Sequence, residues 1–544
     1  MFIRRRSRAR TAVVALAAST LLAAAACSAG DDPDDAKKLT VFAAQGPDTD
    51  LATNTFSKEM EEMTGYTFDW QTTTYDGTTA AEARRILLAG GDYPEAFLMV
   101  PWVDQFSQQD LQRYGQQGVL LPLNDLIDQH APNIKEAFAQ NPEYEKLATA
   151  PDGKIWGLPQ WNDCFHCSYQ AKLWINTEWL DKLGLKMPTT TDEFFDVMMA
   201  FKTQDPNGNG QADEIPLTSS VDDLLLPYFV NAFLYDPQGS ATYPSTLALE
   251  DGKVTLQAGQ AAYRDALAYM AKLYDAGLID PAAFTQNRDA LIAKGDNAAA
   301  PLVGAATALH SGIFVTTYQD DGRDEAYQAL PPLKGPAGVQ FASYNLPSMP
   351  GATFALTNKA SEEEQVAAIE MIDHMFPQDQ HVRAEFGLEG VEWFPPAPGE
   401  TALDESLTPF VRVPPADPNV KPANNAWGPL AQYNSNAEFR NGQVQPPDGY
   451  ERMLFAASKL YEPYAPKDQV FPYWSVWVPE DQTAEVAELT TNIENLVSQS
   501  SAEFVTGIRD VNADDAWQAY LDELDGTGLP RYLEIEQTAY DASV

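Results

Sequence analysis

Positive charge is scarce in this chain. Only 35 Lys and Arg stand against 78 Asp and Glu, a formal net charge of −43. Phosphate contacts are made by Lys and Arg, so the balance argues against nucleic acid and against an electrostatic hold on an anionic membrane surface. The acidity reads as solubility. Histidine is scarcer still: five residues, with no cluster among them. No GxSxG, HExxH or Gly-rich phosphate loop is present, which removes the commonest hydrolase and nucleotide-binding signatures. Long apolar runs are also missing. None reaches the roughly 20 residues of a membrane span. Internal repeats and low-complexity tracts are absent as well.

What is there suits a large folded protein. The 544 residues are 44% hydrophobic and 11% aromatic, too many for one compact core and enough for two lobes or more. The N-terminus differs from the rest. MFIRRRSRARTAVVALAASTLLAAAAC carries five arginines and no acid, then a short apolar run from Thr11 to Ala26. This is the plan of an export signal over residues 1–26. LLAAAAC resembles a bacterial lipobox, with Ala24 where Leu is commoner, and implies cleavage before Cys27 and a lipid on its sulfur. The alternative is an ordinary signal peptide with Cys27 irrelevant. Residues 27–38 follow as a polar, acidic tether. The expected location is the outer face of the cytoplasmic membrane.

The other two cysteines lie in DCFHC, at Cys164 and Cys167. Outside the cell a CxxC is expected to be an oxidised bridge. Free thiols, or a metal or redox role, are the alternatives. A zinc site wants more ligands, and only His166 is near in sequence.

From Lys38 the pattern alternates strand and helix: KLTVFAAQ, LATNTFSKEMEEMTG, YTFDWQTTTY, TAAEARRILLAGG, YPEAFLMV. This order argues for an α/β lobe with a mainly parallel sheet. Ligands on such sheets sit at the carboxyl ends of strands. Here those are the loops Gln45–Asp50 and Val100–Asp104, the second carrying Trp102. Farther on, LWINTEWLDKLGL starts a helix near Asn176 or Thr177, and PTTTDEFFDVMMAFKTQ starts another with Thr191 as its N-cap.

The next stretch is DPNGNGQADEIP, residues 205–216, with an oxygen-bearing side chain at every second position up to 213. A hard cation such as Ca²⁺ takes about six to eight oxygens from a flexible loop. Against an EF-hand loop, Asp205, Asn207 and Asn209 fall on the first, third and fifth positions. Gly210 takes the sharp turn, Gln211 offers its carbonyl, and Asp213 falls ninth. The twelfth position is Pro216 rather than Glu, so Glu214 is the candidate for the bidentate carboxylate. The expected role is a structural Ca²⁺ staple between a helix and a strand. The alternative is an Asn-Gly turn held by its own side chains.

The block LWINTEWLDKLGLKMPTTTDEFFDVMMAFKTQDPNGNGQADEIPL resembles the LipO-like extracellular solute-binding proteins of family 1, which include alginate-oligosaccharide-binding proteins. GKIWGLP (153–159), NLPSMPGATFALTNKA (345–360) and the tail 503–541 add to the resemblance. It implies an α/β fold of the two-lobed periplasmic-binding-protein type (type II), with hinge strands joining the lobes around a cleft. The implied boundaries are 39–155 with about 335–395 for the N-lobe, and about 160–330 with 400–544 for the C-lobe. The implied function is capture of an oligosaccharide or similar solute for the ABC permease of an importer, by a monomer without enzymatic activity. The family's calcium loop carries over onto Asp205, Asn207, Asn209, Gln211, Asp213 and Glu214; solute ligands carry over poorly.

Sugar rings are held by aromatic faces and by Asp, Asn and Gln. Trp161, Asn162 and Asp163 follow the expected crossover. Trp102 follows a strand end, and Trp393 lies near the second crossing. Trp427 sits among amides, and Tyr344 and Asn345 precede the PSMPG loop. These eight are the candidate substrate residues. Other readings are a peptide-binding or sensory lipoprotein and a glycoside hydrolase, whose two carboxylates no sequence of 78 acids excludes.

Overall fold

The computed structural model describes residues 37–239, 246–317, 322–346, 348–414, 421–446 and 449–543. The signal peptide, Cys27 and the tether up to residue 36 lie outside the described residues.

The first sheet is built as its alternating sequence predicts. β1 (Lys38–Gln45) pairs parallel with β2 (Thr67–Thr74) on one side and with β3 (Ala96–Leu98) on the other. The strand Phe354–Leu356 returns from far along the chain and closes the β3 edge antiparallel. β1 has no polar face: Val41 and Ala43 enter one core and Phe42 enters another. Such a run belongs to a sheet covered on both sides. The helix α1 (Thr55–Thr64) starts at Asn54, whose carboxamide oxygen accepts from two backbone N–H groups. It stops at Gly65, which takes a left-handed φ of 71° that a side chain would resist. Helix α2 (Gly77–Gly90) is capped by Asp76, and α3 (Gln108–Gln116) by Ser107.

The second sheet is ordered Tyr327–Leu330, β5 (Leu173–Asn176), Val303–Thr307, β6 (Ile215–Thr218). β6 and Val303–Thr307 run parallel; the other pairings are antiparallel. Its main core joins Trp179, Phe194, Phe201 and Phe229 to Phe504 and Tyr520 of the C-terminal helices. The helix Thr191–Thr203 is capped by Thr190, whose hydroxyl accepts from the Glu193 N–H at 3.2 Å. Thr191, the cap expected from sequence, is the first helical residue and is buried. The two adjacent threonines compete for one role, and the one with extended backbone takes it.

The two large cores divide the chain. One draws on Leu39 to Trp161 and again on Phe354 to Ala431. The other draws on Tyr169 to Ala342 and on Tyr461 to Ala539. The stretch from residue 400, expected whole in the C-lobe, is split between them. Trp427, Leu430 and Ala431 enter the first core because Trp427 packs edge-on against both Phe56 and Trp70. Between the cores, β4 (Trp161–Asn162) pairs parallel with Asn434–Ser435. Ser348 joins them, accepting from the Asn162 N–H and donating to its carbonyl, each at 3.1 Å.

Candidate ligand-binding site

The carboxyl ends of the parallel strands mark where a solute would meet each sheet. On the first sheet, β2 ends beside Tyr75 and β3 runs into the loop carrying Trp102. Large aromatics are mostly buried in this chain, yet Tyr75 is 37% and Trp102 44% exposed. The two side chains lie close together, and partial burial pushes the Tyr75 hydroxyl up to about 12. The loop beneath them is fixed by Arg84. Its guanidinium grips Asp104 through Nε at 2.7 Å and Nη2 at 3.0 Å, and Asp110 through Nη1 at 3.0 Å. Arg84 also lies over the Phe106 ring, 4.7 Å from its centre. A fork-shaped donor with two carboxylates and a ring face leaves the Trp102 loop little freedom.

On the second sheet, β6 runs into Ser219, Ser220 and Asp223, and its parallel neighbour Val303–Thr307 runs towards His310. Asp223 is buried and accepts from Ser220 Oγ at 2.7 Å and from both arms of Arg288 at 2.9 Å. The His310 ring meets Tyr450 edge-on, 4.9 Å between centres. Its Nδ1 is buried with no partner among the described residues. Burial pushes the imidazole down to about 4, against the pull of Asp223. Next to it, His166 Nδ1 lies 3.3 Å from a Glu451 carboxylate oxygen. Here too burial pushes the imidazole down, with Glu451 opposing. The result is a wall of hydroxyls, carboxylates, imidazoles and one guanidinium, suited to bonding many hydroxyl groups. The sequence reading named none of these residues. The rule that picked Trp102 would have found Tyr75 after β2 and Ser219–Asp223 after β6.

The eight predicted substrate residues fall into different surroundings. Trp102 is the exposed one, as described. Trp161, Asn162, Asp163, Tyr344 and Asn345 gather where the chain passes between the cores. Trp161 is buried against Tyr144. Asn162 Oδ1 accepts from the Cys164 N–H at 3.1 Å. Burial raises the Asp163 carboxyl. Tyr344 packs on Tyr169, 5.3 Å between ring centres. Asn345 donates its N–H to the Ser168 carbonyl at 3.0 Å. Trp393 is half-buried and gives its indole N–H to the Gly387 carbonyl at 3.0 Å. Trp427 is 4% exposed and gives its indole N–H to Ser57 Oγ at 2.9 Å. Its ring serves the first core.

The loop 205–214 joins the helix Thr191–Thr203 to β6, at the opposite end of that strand from Ser219. Asp205 has a φ of 48°, and Gly208 and Gly210 have 74° each. These left-handed residues curl the chain so that its oxygens converge. The Asn207 and Asn209 amides both donate to Asp213 Oδ1 at 3.1 Å, and Asp205 Oδ2 accepts from the Gly210 N–H at 3.1 Å. Burial raises the Glu214 carboxyl, and Asp205 and Asp213 push it the same way. Its Oε1 is buried without a hydrogen-bond partner among the described residues. Three crowded carboxylates and one orphaned oxygen fit a divalent cation.

Cys164 and Cys167 are joined in a disulfide, Cα atoms 5.2 Å apart. Lys172, fully buried, donates from Nζ to the His166 carbonyl at 2.9 Å and to the Tyr169 carbonyl, clamping the turn. Burial without a carboxylate pushes this lysine down to about 7.

No helix among the described residues is long and apolar enough to cross a membrane. Residues 46–378 match the family model described as "Bacterial extracellular solute-binding protein". The fructooligosaccharide ABC transporter substrate-binding protein FusA of Streptococcus pneumoniae is 30% identical over 502 residues, 89% of this chain and 86% of its own. Its structure in complex with kestose is similar with a TM-score of 0.73 at 27% identity, covering 93% of this chain and 99% of that one. An EF-hand mutant of the same protein, in complex with fructo-nystose, is similar with a TM-score of 0.73 at 26% identity, over the same shares of both chains. Lipoprotein LipO of Bacillus subtilis is 24% identical over 275 residues, 48% of this chain and 51% of its own. The chain shares the two-lobed α/β fold of these substrate-binding structures and, matched along most of its length, belongs to the bacterial extracellular solute-binding protein family.

Proposed function

We propose that this chain captures an oligosaccharide outside the cell and hands it to the permease of an ABC importer. The observation that carries the reading is the 30% identity across 89% of the chain to a protein named for fructooligosaccharide transport. The site chemistry agrees with it. Tyr75 and Trp102 offer aromatic faces to sugar C–H patches. The second wall offers Arg288 and His310 to hydroxyls, with Ser220 and Asp223 buried behind Arg288. The residues at the crossing, Trp161 to Asp163 with Tyr344 and Asn345, lie where both lobes would touch one ligand. A solute that binds both walls favours the closed arrangement by its differential affinity, and the permease then reads the closed form. A lipid on Cys27 would tether the protein to the outer membrane face.

The loop 205–214 would hold Ca²⁺ through the side chains of Asp205, Asn207, Asn209, Asp213 and Glu214 and the Gln211 carbonyl. The ion supplies positive charge to crowded carboxylates and no chemistry. Support comes from the orphaned Glu214 oxygen and from the EF-hand named in a relative.

The test is thermal unfolding of the chain from Ser28 against a panel of oligosaccharides that includes kestose and other fructans. A bound sugar at a hundredfold excess over its Kd stabilises by about 2.7 kcal/mol. A shift with one class, without breakdown of the sugar, supports the reading and names the solute. No shift with any sugar, or release of sugar fragments, overturns it.

A further inference from the structure

We propose that Cys164, Cys167 and His166 form a zinc site when their bridge is reduced, with Glu451 orienting the imidazole and the fourth metal position left to solvent or solute. One ligand atom from each of the three residues lies within 4.8 Å of the others. Tetrahedral zinc with bonds of about 2.3 Å to sulfur needs ligand atoms roughly 3.8 Å apart, a small adjustment once the S–S bond opens. His166 Nδ1 faces Glu451 Oε2 at 3.3 Å, which leaves Nε2 for a metal. That is the carboxylate–histidine–metal arrangement that fixes tautomer and ring direction.

The turn is also shaped independently of its bridge. The Cys167 N–H points at Cys164 Sγ at 3.3 Å, a donor that stabilises a thiolate. Lys172 holds the His166 and Tyr169 carbonyls from below. The surroundings favour a metal over bare thiolates. Cys164 is 1% and His166 9% exposed, and buried charge is costly. Two thiolates, one neutral imidazole and Zn²⁺ sum to zero. Sequence alone shows the three ligands but not what orients the imidazole, because Glu451 arrives from a distant helix (Tyr450–Tyr461).

The chemistry balances. A dithiol or phosphine reductant supplies two electrons, the S–S bond breaks, and each sulfur takes a proton while the reductant is oxidised. Zn²⁺ then binds both thiolates and displaces those two protons. β4 ends two residues before Cys164, so the same turn that a bridge now holds beside the crossing strand would be held by a metal.

The chain from Ser28 is reduced with a phosphine, freed of it, and titrated with Zn²⁺ and separately with Co²⁺, in excess Ca²⁺ so that the 205–214 loop does not compete. The reduced chain should take one Zn²⁺ and show a sulfur-to-cobalt charge-transfer band. The oxidised chain, and the reduced chain after thiol alkylation, should show neither. Glu451→Gln should weaken Zn²⁺ about ten- to a hundredfold, and His166→Ala at least as much. A reduced chain that takes no zinc at micromolar concentration overturns the proposal. So does zinc affinity unchanged in both variants.

Discussion

The two ends of β6 answer carboxylate charge in opposite ways. At its start, Asp205, Asp213 and Glu214 crowd together within one loop, and among the described residues no Lys or Arg side chain is hydrogen-bonded to any of them. At its far end, Asp223 is fully buried and is answered by the Arg288 fork and Ser220. The first sheet repeats the second solution with Arg84, Asp104 and Asp110. The loop thus waits for charge from solution, while the walls carry their own counter-charge. Removing a counter-ion should therefore hurt a wall by mutation and the loop by chelation.

The largest effect is expected at Arg84. Its side chain is 4% exposed and Asp104's 7%. Arg84→Ala leaves the Asp104 carboxylate without a cation in a desolvated place, while Asp110 keeps Arg113 at 2.7 Å, and the loss costs about 3–5 kcal/mol. Urea unfolding should show that loss, together with weaker solute binding as the Trp102 loop loosens. A loss below about 1 kcal/mol would mean that the loop is held by packing alone. Chelation comes next. If the loop holds Ca²⁺, adding a chelator should remove about 2.7 kcal/mol relative to a hundredfold excess of the ion. Glu214→Gln should abolish most of that difference. Equal stability with and without chelator discards the staple.

These sites were not equally legible in the sequence. The cation loop is contiguous, so its spacing alone shows the alternation of oxygens and the two glycines. The parallel β1–β2–β3 order was legible for the same reason: period and caps such as Asn54 and Gly65 are local. The polar wall is not local. Asp223, Arg288, His310 and Glu451 come from four separate segments, and only folding makes them neighbours. Trp427 shows the converse. NNAWGPL looks like an exposed loop, and nothing nearby tells that its ring lies between Phe56 and Trp70. Tyr75, directly after β2, lies within reach of the rule about strand ends.

A third carboxylate sharpens the contrast between answered and unanswered charge. Asp236 is buried with, among the described residues, only the Gln238 N–H as a donor to its oxygen, at 2.9 Å, and burial pushes its carboxyl from 3.8 up to about 7. Between those values the folded state holds a proton that the unfolded state has lost. Stability then falls as pH rises from about 4 to about 7, and the contribution is gone above that. The slope is up to about 1.4 kcal/mol per pH unit for one group. Glu536, raised by burial to about 7, adds a second slope of the same sign. Asp236→Asn should remove one of the two. An unchanged pH profile in that variant would show that Asp236 stays ionised in the fold.

The smallest effect in free energy bears most directly on function. Trp102 and Trp427 are the same residue type in opposite roles: one 44% exposed beside Tyr75, the other 4% exposed in a core. Trp102→Ala removes little packing, so stability should stay within about 0.5 kcal/mol. Affinity for the solute should fall about tenfold, the roughly 1.4 kcal/mol expected of one aromatic face in contact with a sugar. Tyr75→Phe keeps the face and loses only the hydroxyl, so it should cost less. If both variants bind as the parent does, the solute lies deeper, against the crossing residues and the second wall, and the exposed pair serves another surface.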